Sequence, residues 1–134
     1  MKKLVSIAYS EWAFNLSMLL LRVGVGALMI SHGYDKLINF AKYRSEFMNF
    51  MGIGSSGSLA LVVFAEFFCT IFLMIGLFTR AVVVPLLIVM LVAFFKAHKA
   101  DLFGEGEHAA LYLIVFSVIL LCGPGKVSVD AMIK

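Results

Sequence analysis

Residues 21–36 read LRVGVGALMISHGYDK, and this stretch decides which class of fold the chain adopts. It lies in an apolar run that extends from Phe14 to Tyr34 and is interrupted only by Arg22 and His32. An α-helix rises about 1.5 Å per residue, so about 20 apolar residues are enough to cross the hydrocarbon core of a bilayer. The stretch therefore predicts a transmembrane helix that carries an arginine at depth and ends on the polar run HGYDK.

The composition of the whole chain indicates the same surroundings. Of 134 residues, 63% are hydrophobic and only 14% are charged, whereas soluble domains are about 45–50% apolar and about 25% charged. Most of the surface is therefore expected to face lipid. A net charge of +3 is too small to favour nucleic acid as a partner, and the length predicts a single domain over residues 1–134.

Four apolar segments predict an all-α fold, an integral membrane four-helix bundle. The expected helices cover about 14–34, 59–78, 81–98 and 108–122. A soluble bundle is excluded because no segment has a polar face wide enough to meet water. The connection Asp35–Ser58 mixes charged and aromatic side chains, which predicts an amphipathic segment on the membrane surface between helices one and two.

The distribution of cations predicts the orientation. Four spans put both termini and Arg80 on one side, and each side then carries five lysines and arginines. Lys36 and Lys96 directly continue their helices and are expected to point into the bundle, which leaves fewer free cations on their side. The positive-inside rule then predicts cytoplasmic termini for this multi-pass chain.

Polar residues from three helices are expected to meet at one mouth of the bundle. Helices one and three end there and helix four begins there, while the other mouth has no histidine. The candidate ligand-binding residues are His32, Lys36, Lys96, His98, Glu107 and His108. These residues come from different helices without a paired histidine motif, so no metal site is predicted. One alternative stays open: His32 and Lys36 snorkel to the interface, and Glu107 and His108 are ordinary residues of a helix N-terminus.

Arg22 and Glu66 are charged residues deep within the predicted spans. Measured from Asp35 and Ser58, they lie about 20 Å and about 12 Å below the helix ends. An unpaired charge in hydrocarbon costs at least about 2.5–3.5 kcal/mol, so each needs a partner. We expect a buried Arg22–Glu66 ion pair, either as a staple between helices one and two or as the floor of a cavity.

A heptad spacing refines the first helix. Arg22, Met29 and Lys36 share one face, with Gly26 and Gly33 beside them. Small residues on such a stripe let a neighbouring helix or a ligand approach closely. The polar residues of this helix are therefore expected to line the interior.

Motifs along nearly the whole chain resemble the DoxX family of small membrane proteins. They are an Arg-x-x-x-Gly segment running into His-Gly-x-x-Lys, a glutamate in helix two, a Gly-Glu pair before helix four, and a terminal Gly-Pro-Gly-Lys-x-Ser-x-Asp. The matching residues are Arg22, Gly26, His32, Gly33, Lys36, Glu66, Gly106, Glu107, Gly123, Pro124, Gly125, Lys126, Ser128 and Asp130. The resemblance implies a four-helix protein of the bacterial inner membrane. Some relatives are linked with quinone-dependent oxidation of thiosulfate, and others with membrane assemblies that respond to redox stress.

A quinone headgroup fits the chemistry of the predicted mouth. His32 or His98 would donate hydrogen bonds and exchange protons near neutral pH, and Lys36 or Lys96 would stabilise negative charge. We expect the chain to bind a quinone or similar amphiphile as a subunit of a membrane redox system, with a redox partner protein. No flavin, haem or metal is predicted, so whether the chain is itself an enzyme stays open.

Two alternatives from other functional classes also stay open. The same mouth suits a lipid or small-metabolite binding or transport protein that has no redox role. The segment 35–58 suits a scaffold that docks a redox enzyme at the membrane surface. Assembly into a homo-oligomer is compatible with all three functions.

Overall fold

A computed structural model describes residues 4–44, 54–97 and 106–133 of the chain, and every regular element in these ranges is helical. The elements are α1 (Glu11–Ile38), α2 (Phe40–Tyr43), α3 (Ser55–Val63), a π-helical segment (Phe64–Cys69), α4 (Thr70–Ile75), α5 (Thr79–Val92), a second π-helical segment (Ala93–Ala97), α6 (Glu107–Cys122) and α7 (Val129–Ile133). The all-α fold class is confirmed.

Helix α1 is longer at both ends than the apolar run alone predicts. The Ser10 hydroxyl accepts a hydrogen bond from the Ala13 N–H at 3.1 Å and caps its start. At the other end α1 continues through the polar run, and the Asn39 N–H donates to the Asp35 carbonyl at 3.1 Å. A capped start and the absence of glycine or proline after Gly33 explain the extension. Lys36 is consequently a residue of the helix rather than of a loop.

The second long helix is made of α3, the first π-helical segment and α4, which follow one another without a break. It packs antiparallel on α1, and two glycines permit the contact. A side chain at Gly26 would meet Met74, and a Cβ at Gly33 would lie 2.6 Å from the backbone of Glu66. The expectation that this stripe admits a neighbouring helix is confirmed.

Two of the helices are long and apolar enough to cross a membrane, Glu11–Ile38 and Ser56–Ile75. Thr79–Phe95 and Glu107–Cys122 are shorter apolar helices. A tight turn joins α4 to α5, with Gly76 at φ 77° and Phe78 at φ 51°. Within the described ranges, the apolar helices pack together around fully buried side chains, which include Leu73, Val83, Leu86, Phe116 and Ile119.

The packed helices have two ends, and we name each end by the parts of the chain that lie at it. At the terminal end, α1 begins, the turn 76–78 lies, and α6 ends. At the loop end, α1 ends, α3 begins and α6 begins. An exposed ion pair between Lys126 and Glu11 joins the two ends of the chain. Of the predicted surface segment 35–58, residues 45–53 lie outside the described ranges, and Phe40–Tyr43 forms the short helix α2.

Residues 123–133 fold back across the terminal end, and we call them the C-terminal clasp. The Asp130 carboxylate accepts hydrogen bonds from the backbone N–H groups of Phe78 (2.7 Å) and Thr79 (2.9 Å) and so caps α5. The Asp130 N–H in turn donates to the Gly76 carbonyl at 2.9 Å. Partial burial tends to raise the pKa of Asp130, but the hydrogen bonds from Thr79 and Phe78 and the charge of Arg22 together hold it below the usual value.

Candidate functional site

Glu66 and Lys36 form an ion pair in the apolar part of the molecule, near the loop end. The Lys36 ammonium donates to both carboxylate oxygens of Glu66, at 2.8 Å and 3.0 Å. The Glu66 side chain is 3% exposed, and that of Lys36 is 28% exposed. Such an ion pair satisfies the carboxylate while leaving the lysine side chain in partial contact with the outside.

The predicted Arg22–Glu66 ion pair is therefore wrong, because each residue has other partners. The Arg22 guanidinium donates to the carbonyls of Met74, at 3.5 Å, and Val127, and it is attracted by Asp130. Its Nε atom is buried and has no hydrogen-bond partner among the described residues. Arg22 thus fastens the C-terminal clasp to α1 and α4 at the terminal end, rather than reaching the loop-end site.

The physical reason for the error is the relative height of the two helices. Depths counted from Asp35 and from Ser58 are comparable only if these two residues lie at the same height. In the structure the Glu66 backbone packs on Gly33, which is one turn from Lys36 and about 16 Å along α1 from Arg22. That distance is beyond the reach of an arginine side chain, whereas Lys36 is adjacent.

Glu66 lies in a π-helical segment, Phe64–Cys69, in the middle of the second long helix. The Thr70 hydroxyl donates to the Ala65 carbonyl, five residues earlier, at 3.4 Å. A π-helical turn is rare within an α-helix and is found frequently at functional sites. Its widened turn and the bare backbone of Gly33 together set the position of the Glu66 carboxylate against α1.

Two rings extend this site onto α6. The His32 imidazole contacts the Tyr112 ring edge-on, with centroids 6.4 Å apart, and Tyr112 stacks on the buried Phe116 at 5.9 Å. The Glu66 carboxylate also acts electrostatically on the Tyr112 hydroxyl. Three helices therefore supply a carboxylate, an ammonium, a phenol and an imidazole to one region at the loop end.

The other predicted residues have different positions. Glu107 and His108 are exposed at the first turn of α6. Lys96 lies in the π-helical segment Ala93–Ala97, and His98 is outside the described residues. Within the described ranges, no group of three histidine, cysteine, aspartate or glutamate side chains is placed to hold a metal ion.

Tyr112 is not among the residues predicted from the sequence, because only charged residues and histidines of helix four were candidates. A signal for it was present, because Tyr112 is four residues after His108 and thus one turn deeper on the same face of α6. The sequence predicts Glu66 as a partner of Arg22, either in a staple between helices one and two or in the floor of a cavity, whereas the structure pairs it with Lys36 near the loop end.

The four groups permit a defined chemistry. Lys36 and Tyr112 are hydrogen-bond donors, the Glu66 carboxylate is an acceptor, and a neutral His32 imidazole has one donor and one acceptor nitrogen. An ionisable pair within a membrane helix is by default a candidate functional site because of its cost in hydrocarbon. The arrangement therefore offers both hydrogen-bond donors and acceptors to a polar group.

Comparison with known proteins identifies one family. The model of the DoxX family matches residues 17–99, a range that includes Arg22, Lys36 and Glu66. Helix α6 and the C-terminal clasp lie beyond that match. No curated protein and no solved structure matches the chain.

Proposed function

This chain belongs to the DoxX family of membrane proteins, often associated with redox systems, and on that premise we propose that it binds a quinone or similar amphiphile. The site is the loop-end group of Lys36, Glu66, His32 and Tyr112. On this proposal the chain acts as a subunit of a membrane redox system and exchanges electrons only with a partner protein. A bound quinone would supply the two-electron, two-proton chemistry that these side chains lack.

The observation that carries the proposal is the Lys36–Glu66 pair itself. A buried carboxylate that needed only neutralisation would be served by a fully enclosed partner. Lys36 instead keeps 28% of its side chain exposed while holding Glu66, which is 3% exposed. The ammonium is thus able to donate to a ligand carbonyl from the edge of the bundle without abandoning the carboxylate, since it has three donor hydrogens.

The neighbouring side chains fit a flat headgroup. The Tyr112 hydroxyl offers a second donor, and its ring continues into an aromatic stack with Phe116. His32 is exposed beside Tyr112, and its imidazole nitrogens are able to form hydrogen bonds at the edge of the proposed site. His108 is one turn above Tyr112 and forms the outer rim of the proposed site.

The lipid-facing surface suits the tail of such a ligand. Exposed apolar side chains continue along the same helices towards the terminal end, among them Leu28, Phe68 and Ile114. A tailed molecule would enter sideways from the bilayer, with its head at the ion pair and its tail in lipid. A water-soluble metabolite has no apolar tail to contact this exposed apolar surface.

In the test, the purified protein in detergent is titrated with a soluble quinone analogue, and the affinity is measured by calorimetry. Tyr112→Phe removes one proposed donor and is expected to weaken binding about ten-fold, the effect of about 1.4 kcal/mol for a lost hydrogen bond. Tyr9→Phe, which removes the same hydroxyl from an exposed residue at the terminal end, is the matched control. Equal affinities of the two variants would contradict the proposed site.

A second arm separates binding from folding. Glu66→Gln and His32→Gln are titrated in parallel, and the thermal stability of each variant is measured without ligand. A loss of affinity in His32→Gln without a loss of stability supports ligand contact, because His32 is exposed. If the wild-type protein binds no quinone analogue but retains phospholipid or detergent tightly, the lipid-binding alternative is favoured instead.

A further inference from the structure

A separate pocket of about 610 Å³ opens at the terminal end, between the start of α5 and the C-terminal clasp. The residues that line it are Arg80, Pro124, Gly125, Lys126, Asp130 and Ala131. The Lys36–Glu66 site lies near the loop end, at the opposite end of the packed helices. The pocket is therefore independent of the proposed quinone site.

Arg80 is the fixed cation of this pocket. Its Nε donates to the Leu120 carbonyl at 3.1 Å and its Nη2 to the Leu121 carbonyl at 3.3 Å, at the C-terminus of α6. A Cβ at Gly123 would lie 3.1 Å from Nη2, so the glycine makes room for the guanidinium. A guanidinium has five N–H donors, and these two bonds leave the others for a ligand.

Lys126 is the second cation, and its present partner is weakly held. The ammonium pairs with Glu11, but the two side chains are 72% and 64% exposed. Exposed ion pairs contribute only about 0–1 kcal/mol, so an anionic ligand competes readily for Lys126. The backbone of Lys126 is fixed, because its N–H donates to Asn15 Oδ1 at 2.9 Å.

Asp130 does not cancel these two charges. Both of its carboxylate oxygens accept hydrogen bonds from the Phe78 and Thr79 N–H groups. Its negative charge is therefore directed at the N-terminus of α5, where the helix dipole offsets it. The pocket keeps a cationic character from Arg80 and Lys126.

Exposed apolar side chains flank the pocket along the chain. Leu121 is 79% exposed, Met132 82% and Ile133 63%, and Phe78 and Val127 are also exposed. In a membrane protein such residues face acyl chains, and apolar and cationic surfaces meet where the chain leaves the hydrocarbon region. A ligand for this place has one anionic group and an apolar remainder.

We propose that the pocket binds the phosphate group of an anionic phospholipid between Arg80 and Lys126. Guanidinium groups bind phosphate oxygens through paired, charge-assisted hydrogen bonds. Basic pockets between membrane helices on the cytoplasmic side take up such headgroups, and the positive-inside rule predicts that this end is cytoplasmic. The bound lipid joins α6 to the C-terminal clasp, because Arg80 is fixed to the former and Lys126 belongs to the latter.

The experiment uses the purified full chain in detergent and short-chain phosphatidylglycerol, with phosphatidylcholine of the same chain length and inorganic phosphate as the other two probes. Binding is measured by native mass spectrometry and by ligand-dependent thermal stability. Lys126→Gln is expected to lower the affinity for phosphatidylglycerol about five-fold, the effect of one cation near the membrane surface. Lys42→Gln removes the same charge from the loop end and is expected to leave the affinity unchanged.

Glu11→Gln provides a variant of opposite sign. It releases Lys126 from its ion pair and is expected to strengthen phosphatidylglycerol binding without touching the pocket. The proposal is overturned if Lys126→Gln binds phosphatidylglycerol as the Lys42→Gln control does. It is also overturned if inorganic phosphate binds as tightly as the lipid, which indicates a free-anion site, or if phosphatidylcholine does.

Discussion

The Lys36–Glu66 pair predicts unequal effects when its two partners are removed singly. Lys36→Met leaves the Glu66 carboxylate, whose side chain is 3% exposed, without a cation. Breaking a buried ion pair in this way lowers the free energy of unfolding by about 3–5 kcal/mol. Because water has partial access to the Lys36 position, we expect a loss at the lower end of this range, about 3 kcal/mol. Glu66→Gln leaves a lysine that is 28% exposed and able to extend to the interface. We therefore expect this variant to lose only about 1.5 kcal/mol of unfolding free energy.

The double variant Lys36→Met/Glu66→Gln is expected to be less destabilised than Lys36→Met alone, because no unpaired charge remains. The measurement is thermal unfolding in detergent micelles followed by circular dichroism, where about 3 kcal/mol corresponds to about 10 °C in Tm. Lys42→Met, at an exposed lysine of α2, is the control and is expected to stay within about 0.5 kcal/mol of wild type. Strictly additive losses in the double variant would refute the pairing, because coupled residues give a non-additive cycle.

Two further predictions concern packing and the C-terminal clasp. Gly33→Ala is expected to lower the free energy of unfolding by about 1–3 kcal/mol, because its Cβ would lie 2.6 Å from the Glu66 backbone. The control Gly24→Ala meets nothing within 4 Å and is expected to stabilise α1 by up to about 1 kcal/mol. Equal Tm shifts of the two variants would contradict the close contact at Gly33. The folded-state pKa of Asp130 is lowered, so its contribution to stability is present above the unfolded pKa of about 4 and is lost as pH falls through the lower folded value. Asp130→Asn is therefore expected to flatten the acid limb of a stability–pH curve, and an unchanged acid limb would show that Asp130 carries no such stabilisation.

The wrong prediction of an Arg22–Glu66 ion pair shows which information a single sequence lacks. Periodicity places Lys36, Gly33 and Arg22 on one face of α1, and the structure agrees. It does not give the axial height of a neighbouring helix, which depends on the Gly33 contact and on the π-helical turn around Glu66. A shift of about 8 Å, or about one and a half helical turns, decides whether Arg22 or Lys36 reaches the carboxylate.

The sequence by itself determined the all-helical fold and the long apolar helices, because these follow from composition, run length and local periodicity. Only the tertiary structure decided the pairing of Glu66 with Lys36, the position of Tyr112 beside His32, and the capping of α5 by Asp130. Asp130 and Thr79 are 51 residues apart in the chain. Contacts of this kind depend on how helices are offset and on where the chain returns, and no local pattern encodes either.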